Sequence, residues 1–333
     1  MAQKSPYDWP PYAIPGQPLP PYGPIYPDPP PFVIYGTEKD DLIEGTDGAD
    51  DIYGRSAEDY VEGGHGNDRL YGEADNDSLY GGFGNDQLFG GTGNDYAEAG
   101  AGNDQVYGGV GRDALDGGVG NDLVFGDDGD DICSGFDGQD TVYGGVGNDK
   151  LNGGLGNDVC YGGDGDDWMD DIDLPGDTHD SFYGGEGNDR IFVDNLFGAL
   201  NDAVIDGGNG FDRLELCLVD ETVSRIDALA IAGVTRGIEA IGLGAAGNSV
   251  LVVNPRDVLN FSDSDTLFIT GGQDALYYPL DNMVICDGAE GNWWTPTGTY
   301  AYGDILFNSY QCVVDGQVAT LHVDTLLAQS GLT

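Results

Sequence analysis

The 333-residue chain carries 60 acidic against 11 basic side chains, a formal net charge of −49. That charge excludes nucleic acid as a partner and disfavours an anionic membrane surface unless Ca2+ bridges the two. No stretch approaches the roughly 18 apolar residues of a membrane span, so a spanning helix is excluded as well.

The first predicted element is an extended Pro/Tyr-rich tail, residues 1–36. Twelve of the 16 prolines fall in residues 1–35, interleaved with Tyr7, Trp9, Tyr12, Tyr22, Tyr26, Phe32 and Tyr35. Proline fixes φ and removes a donor, so the segment reads as polyproline II rather than helix or central strand. A passive spacer and a docking segment both remain open, the aromatic content favouring the second because spacers are poor in Tyr and Trp. No basic, apolar secretory leader precedes it.

From Asp41 to Asp167 an aspartate recurs every nine residues, fifteen times in succession, and the unit returns around Asp180, Asp189, Asp202 and Asp212. Nineteen units thus span 37–216, each with an apolar residue two positions after the aspartate, from Ile43 through Leu70 and Val124 to Leu214. A solvated acidic linker would show no such restriction, so the array has an interior. The three residues x-apolar-x make a minimal strand with one inward side chain. The six residues before them, as in Gly63-Gly64-His65-Gly66-Asn67-Asp68, turn the chain, with glycine allowing positive φ. Two units make an 18-residue coil, and coils stack about 4.8 Å apart as two parallel sheets. The predicted fold is therefore all-β, a parallel β-roll solenoid. Each turn stacks on the turn two units away, so that carbonyls and Asp carboxylates converge in an oxygen-only cage. Hard oxygen ligands suit Ca2+ and poorly suit zinc or copper. Without cations the array should repel itself, so binding is expected to drive folding.

Ten units keep the full Gly-Gly-x-Gly-x-Asp turn, those ending at Asp68, Asp86, Asp95, Asp113, Asp122, Asp149, Asp158, Asp167, Asp189 and Asp212. With this motif at this copy number, residues 37–216 resemble the RTX (repeats-in-toxin) family. The resemblance implies metal sites between turns n and n+2, on the order of 10 to 17 ions. The implied carboxylate ligands are those ten aspartates with Asp50, Asp104, Asp131 and Asp140. The implied carbonyl ligands are those of turns such as Gly64, Gly66, Gly82, Gly84, Gly118, Gly120, Gly145, Gly147, Gly154 and Gly156. It also implies type I export to the cell exterior. The turns Arg55–Asp59 and Glu73–Asp77 lack the internal glycines and depart from the pattern. Insertions around Ile172–Pro175 and Asn195–Ala199 are expected to bulge as loops.

Residues 217–333 are predicted as a C-terminal β-rich capping domain, since an open solenoid end exposes strand edges and core. Strands are expected at Ser249–Val253, Thr266–Thr270 and Ala319–Val323, and short helical turns at Asp220–Leu229 and Pro255–Asn260. The stretches Gly237–Ile241, Asp257–Leu259 and Ala319–Asp324 resemble the closing domain of large RTX adhesins. Cys133 and Cys160 occupy inward positions and read as small buried hydrophobes. Cys286–Cys312 is a candidate disulfide in an oxidising exterior, with Cys217 also in this part.

On the outer surface, the position after each inward residue reads Tyr53, Tyr71, Phe89, Tyr107, Phe125, Tyr143, Tyr161 and Tyr183 on one face. The other face reads Glu44, Glu62, Tyr80, Glu98, Asp116 at the same position. Such an aromatic ladder either stabilises its own strands by stacking or marks an assembly surface that a partner covers. No zinc, nucleophile-elbow or phosphate-loop motif is present, and His65, His179 and His322 are scattered, so no catalytic site is expected. The favoured reading is a secreted Ca2+-binding structural protein that self-assembles through its tail and aromatic face into a layer, sheath or filament. The alternatives are an accessory folding and secretion module of an RTX enzyme, and an adhesin fragment binding cell-surface glycan through the aromatic face.

Overall fold

The computed structural model describes residues 31–171, 180–193, 204–216, 226–227, 235–243, 250–253, 266–271, 283–286, 295–302, 305–314, 317–324 and 328–330. Among these residues every regular element is a β-strand. The predicted parallel roll is what forms: strands alternate strictly between two sheets, each pairing in parallel with the strand two along. In sheet I, Asp51–Ser56 aligns with Arg69–Ala74, which aligns with Gln87–Thr92. In sheet II, Tyr60–His65 aligns with Ser78–Phe83, and that strand with Tyr96–Ala101. The register offset is 18 residues throughout this part, as two nine-residue units per coil require.

One inward side chain per strand fills the space between the sheets. Ile52, Val61, Leu70, Leu79, Leu88 and Ala97 are all fully buried, and Cys133 and Cys160 sit in the same row as buried thiols. Burial pushes the Cys133 thiol well above its ordinary pKa, the behaviour of an inert hydrophobe. A second inward position on most strands is held by glycine or alanine, as at Gly54 and Ala99, which keeps the roll thin, while Val193 fills it near the far end.

Three features depart from the expected outline. The roll begins inside the segment assigned to the tail, because Phe32–Tyr35 pairs in parallel with Asp50–Tyr53. Past Pro31 no proline blocks the ladder, and the Tyr35 ring stacks on Tyr53 at 5.1 Å. At the unit of Asp202, which itself lies outside the described residues, the inward residue is Ile205, one position beyond the expected Val204. Beyond residue 216 the sheets continue without a break: Arg213–Leu216 pairs with Ala240–Leu243, which pairs with Phe268–Gly271.

Sheet II then ends in an antiparallel hairpin, Thr295–Tyr302 with Ile305–Val314, laid against Gln317–Asp324. The reversal of direction stops the parallel stack. Strands Val250–Val253 and Thr266–Gly271 fall where sequence places them. Ile226–Asp227 is instead a strand, pairing with Leu251–Val252 in a third, parallel sheet, inside a stretch expected to be helical. The apolar Ile226–Leu251 pair in register outweighs a weak helical pattern. The helical turn at Pro255–Asn260 lies outside the described residues, as do the insertion 172–179 and the side chains of Cys217, Cys286 and Cys312.

Candidate metal centres in the turns

Each turn aspartate is aimed inward by the same bond. The backbone N–H of Asp50 donates to Oδ1 of Asp68 at 2.8 Å, that of Asp68 to Asp86 at 2.8 Å, and that of Asp86 to Asp104 at 2.6 Å. On the opposite corner Asp77 donates to Asp95, and Asp95 to Asp113, both at 2.8 Å. These are charge-assisted bonds to buried carboxylates, none more than 4% exposed. Insertions do not interrupt the ladder: Asp158 reaches Asp180 across 22 residues, Asp167 reaches Asp189 across 22, and Asp189 reaches Asp212 across 23.

The second oxygen of the same carboxylate is in a different condition. Oδ2 of Asp68, Asp86, Asp95, Asp104, Asp113, Asp122, Asp131, Asp140, Asp149, Asp158, Asp167, Asp189 and Asp212 is buried without a hydrogen-bond donor. These are thirteen of the fourteen aspartates expected from sequence. Asp59 and Asp77, which the incomplete motifs left aside, share the condition. Their turns adopt the glycine conformation without glycine, Arg55, Ala57, Glu73 and Asp75 all having φ between 75 and 92°. The fourteenth, Asp50, differs. Its Oδ2 accepts from the Thr46 N–H at 2.6 Å and the Thr46 hydroxyl at 2.9 Å, which closes that turn with protein donors.

A buried, ionised oxygen with no donor is expensive, and burial accordingly lifts these carboxyl groups above their ordinary range. Burial, partly offset by the ladder bond, raises Asp68, Asp104 and Asp149 to about 6 and Asp86, Asp122, Asp131 and Asp140 to about 7. Asp167 is pushed up to about 8, with Asp189 and Asp149 adding like charge. A positive charge at Oδ2 would keep the whole row ionised at neutral pH, which matters most for Asp167 and for the groups near 7.

Glycine makes the space. A β-carbon at the first glycine of a turn would strike the aspartate five residues on: at Gly63 it would lie 2.6 Å from Asp68 Oδ2 and 2.8 Å from the Gly81 carbonyl oxygen. Sequence reasoning missed this role of the first glycine, whose φ is not positive. The second and third glycines have the expected positive φ: 99 and 139° at Gly64 and Gly66, 104 and 133° at Gly82 and Gly84, 97 and 150° at Gly118 and Gly120. Gly145, Gly147, Gly154 and Gly156 follow at 117, 142, 98 and 145°. Carbonyl oxygens of Gly64, Gly66, Gly82, Gly84, Gly120, Gly145 and Gly147 would each collide with a β-carbon placed on the glycine one coil on. No three acidic, histidine or cysteine side chains meet at one point among the described residues, so a metal here is held mainly by one carboxylate and backbone oxygens.

The site thus offers oxygen alone: an orphaned carboxylate oxygen, a carbonyl beside it, and a pocket that any side chain would fill. That donor set fits Ca2+. The RTX calcium-binding nonapeptide repeat family matches the chain over residues 33–61, 54–88, 62–97, 80–115, 98–133, 134–169 and 176–195. The roll is made of RTX calcium-binding repeats. Comparison with curated proteins finds no match.

A further ladder and a last rung in the RTX roll escaped the sequence reading. Asn85 N–H donates to Asn67 Oδ1 at 2.9 Å, Asn103 to Asn85 at 2.9 Å, and Asn121 to Asn103 at 2.8 Å. The residue before each aspartate therefore bonds toward the N-terminus while the aspartate bonds toward the C-terminus; recurrence of Asn-Asp was the available signal. At the far end, Asp212 N–H donates to Glu239 Oε2 at 3.0 Å, so a glutamate, outside the aspartate period, takes the last rung.

The expected aromatic ladder forms, and Tyr35 extends it. Tyr53–Tyr71, Phe89–Tyr107, Tyr107–Phe125 and Tyr161–Tyr183 stack with centroids 4.6 to 4.9 Å apart and planes within 12°. The rings cover each other's faces and are half-buried. The more exposed apolar side chains lie at the start of the roll (Phe32, Tyr35), on sheet II (Leu42, Ile132) and in the turns (Phe83, Val110, Val119, Phe136, Val146).

Proposed function

We propose that this is a secreted, calcium-loaded RTX roll that folds outside the cell and serves as a structural building block of an extracellular layer, sheath or filament, without catalytic activity. The observation that carries the calcium part is the row of buried, donorless Oδ2 atoms. Asp68, Asp86, Asp95, Asp104, Asp113, Asp122, Asp131, Asp140, Asp149, Asp158, Asp167, Asp189 and Asp212 would hold the ions with turn carbonyls, and Asp59 and Asp77 join them. Bound Ca2+ supplies the positive charge that lets these carboxylates stay ionised inside the turn. The chain's own part is to hold each Oδ1 by a backbone N–H, so that Oδ2 is already aimed when the cation arrives.

RTX repeat proteins are typically exported by type I systems, and no helix among the described residues is long and apolar enough to cross a membrane. Extracellular modules bind Ca2+ at about 10⁻⁴–10⁻³ M, so the chain stays unfolded in a low-calcium cytosol and folds on export. Assembly rests on weaker support: the ladder rings and the aromatic, proline-rich segment before Phe32. The partner expected is a second copy, joined through that segment and the aromatic face, and head-to-tail contacts that do not close would give filaments. Purified protein tests both parts. Added Ca2+ should raise strand content by circular dichroism and produce polymers in negative stain. Strand content that survives complete chelation would remove the calcium coupling; folded monomers at saturating Ca2+ would remove the assembly.

A further inference from the structure

The two corners of the roll differ in chemistry. Where the chain passes from sheet II to sheet I, the turn tips are His65, Phe83, Ala101, Val119, Asp137 and Leu155, with Phe136 beside them. Phe83 and Val119 are 62% and 57% exposed, and His65 stacks on Phe83 at 4.9 Å. The opposite corner places Ala74, Thr92, Val110, Asp128, Val146, Asp164 and Glu186 at the equivalent tips, an alternation of small, apolar and acidic residues with no aromatic ring. Exposed valines tip both corners, Val119 on the first and Val110 and Val146 on the second, so what sets the first corner apart is its stacked His65–Phe83 pair, which a tip pointing away from the interior does not require.

Two residues after those tips stand Asn67, Asn85, Asn103 and Asn121, unbroken over four coils, whereas the opposite corner reads Asn94, Arg112, Asp130, Asn148, Asp166. A backbone N–H can only donate, so the ladder bonds identify Oδ1 of Asn67, Asn85 and Asn103 as the acceptor. Each Nδ2 is then a fixed, outward donor, one per coil. Beside this row lies a second: Arg69 Nε donates to Gln87 Oε1, and Gln87 Nε2 to Gln105 Oε1, both at 3.0 Å. Between the rows runs a groove of about 330 Å3, lined by Asn67, Arg69, Asn85, Gln87, Asn103 and Gln105 together with Asp68 and Asp86. Arg69 is met by Asp51 at 3.2 Å. The rows are thus neutral in a protein of net charge −49.

We propose that this corner binds a neutral polysaccharide chain lying along the roll axis. Its oxygens accept from the amides of Asn67, Asn85 and Asn103, its hydroxyls exchange hydrogen bonds with Gln87 and Gln105, and its C–H surface rests on the His65–Phe83 ridge. A linear polymer of repeating units suits a donor set repeated once per coil. Hydroxyl groups both donate and accept, as do primary amides, and amides already pinned lose little freedom on binding. Acidic polymers and nucleic acid are repelled. A peptide strand finds no free backbone edge, because Gly66, Gly84 and Gly102 already donate to Phe83, Ala101 and Val119. The aromatic ladder of sheet I is not this site, since its ring faces are covered.

The test uses the full chain at saturating Ca2+, titrated calorimetrically with linear hexasaccharides of β-1,4-, β-1,3- and α-1,4-glucan. Asp replaces Asn without losing the acceptor oxygen, and Asp130 already accepts the Asn148 N–H at 2.9 Å in the equivalent position. The triple variant N67D/N85D/N103D therefore keeps the ladder, removes the three donors and adds three negative charges, an addition that N76D/N94D on the opposite corner controls for. At least one glucan should bind, the triple variant should lose at least about tenfold in affinity, roughly 1.4 kcal/mol, and N76D/N94D on the opposite corner should bind like the wild type. Circular dichroism verifies that both variants fold. Absence of binding by all three glucans, undiminished binding by the triple variant, or equal loss from the opposite corner would each overturn the assignment. So would a proline-rich peptide that occupies the groove when no glucan does.

Discussion

The backbone N–H of Asp104 donates to Oδ1 of Asp122 at 2.7 Å, while Oδ2 of the same Asp122 is buried without a donor. One carboxylate thus carries two separable duties, a structural one on Oδ1 and a cation-holding one on Oδ2. Asp122→Asn keeps the first and removes the second. In the metal-free protein at neutral pH this variant should be no less stable than wild type, because the buried charge is gone. Its calcium midpoint should rise. Asp122→Ala removes both and strands the Asp104 N–H, costing about 1–3 kcal/mol even without metal. Calcium titrations followed by circular dichroism separate the two, and identical behaviour of Asn and Ala would show that the oxygens are not divided this way.

Acid should partly replace calcium. Ordinary aspartates ionise near 3.9, whereas burial lifts Asp68 to about 6, Asp122 to about 7 and Asp167 to about 8. A raised folded-state value means that protonation stabilises the metal-free roll. That contribution is complete below about pH 4 and lost as pH climbs through 6 to 8. The chelated protein is therefore expected to gain strand content between pH 8 and 5, and its calcium midpoint to rise over the same interval as protons compete for Oδ2. A chelated protein whose spectrum stays flat across that interval would rule this out.

Glycine substitutions should sort by position in the turn rather than by exposure. At Gly120 φ is +150° and a β-carbon would overlap the Gly102 carbonyl. At Gly144 a β-carbon would overlap Asp149 Oδ2 and lie 2.6 Å from the Gly162 carbonyl. At Gly48 the nearest atom outside the neighbouring residues, Thr46 Oγ1, is 4.0 Å away. Gly120→Ala and Gly144→Ala should each destabilise the calcium-loaded roll by about 1–3 kcal/mol, and Gly48→Ala by less than about 0.5 kcal/mol. Thermal melts at fixed Ca2+ check the order, and a Gly48→Ala as harmful as Gly120→Ala would refute it.

The roll was legible because the period of nine fixes everything that repeats: the inward residue, the turn and the stacking of Asp68 under Asp86. What sequence hid was either non-repeating or redundant. Asp59 and Asp77 were set aside for missing glycines, yet Arg55 and Glu73 tolerate positive φ where the neighbouring coils impose it. Asp50 looked like its thirteen companions, but only coordinates show that Thr46 already fills its Oδ2. Glu239 lies 27 residues after Asp212, beyond any fixed spacing, and its carboxylate reaches the rung because a longer side chain spans what the period no longer sets.

The aromatic ladder separates strand stacking from assembly. Tyr107, Phe125 and Tyr143 lie in consecutive coils of sheet I, with centroids 4.8 and 4.7 Å apart. Replacing all three by Ser removes stacking worth about 0.5–1.5 kcal/mol per pair, so the calcium-loaded melt should fall while the fold persists. If the face also joins copies, polymers in negative stain should vanish at temperatures where the variant is fully folded. Polymers of normal yield from that variant would reduce the ladder to strand-to-strand support.

Truncation should reveal where the roll truly ends. Ending the chain at 216 strips the partner strand from Arg213–Leu216 and leaves the Asp212 N–H without Glu239. It also leaves buried Glu215 beside Arg190 and Arg213 with its outer side uncovered. Ending at 243 keeps Ala240–Leu243 paired on that strand and Arg236 on Asp206 at 3.2 Å. The shorter chain is therefore expected to aggregate or stop short of full folding at saturating Ca2+. The chain ending at 243 should recover most of the strand signal while still exposing the edge that Phe268–Gly271 covers in the full protein. Calcium titrations of both, with light scattering, decide the matter. Equal, monomeric folding of the two would show that the last rung contributes nothing and that the continuation past 216 serves another purpose.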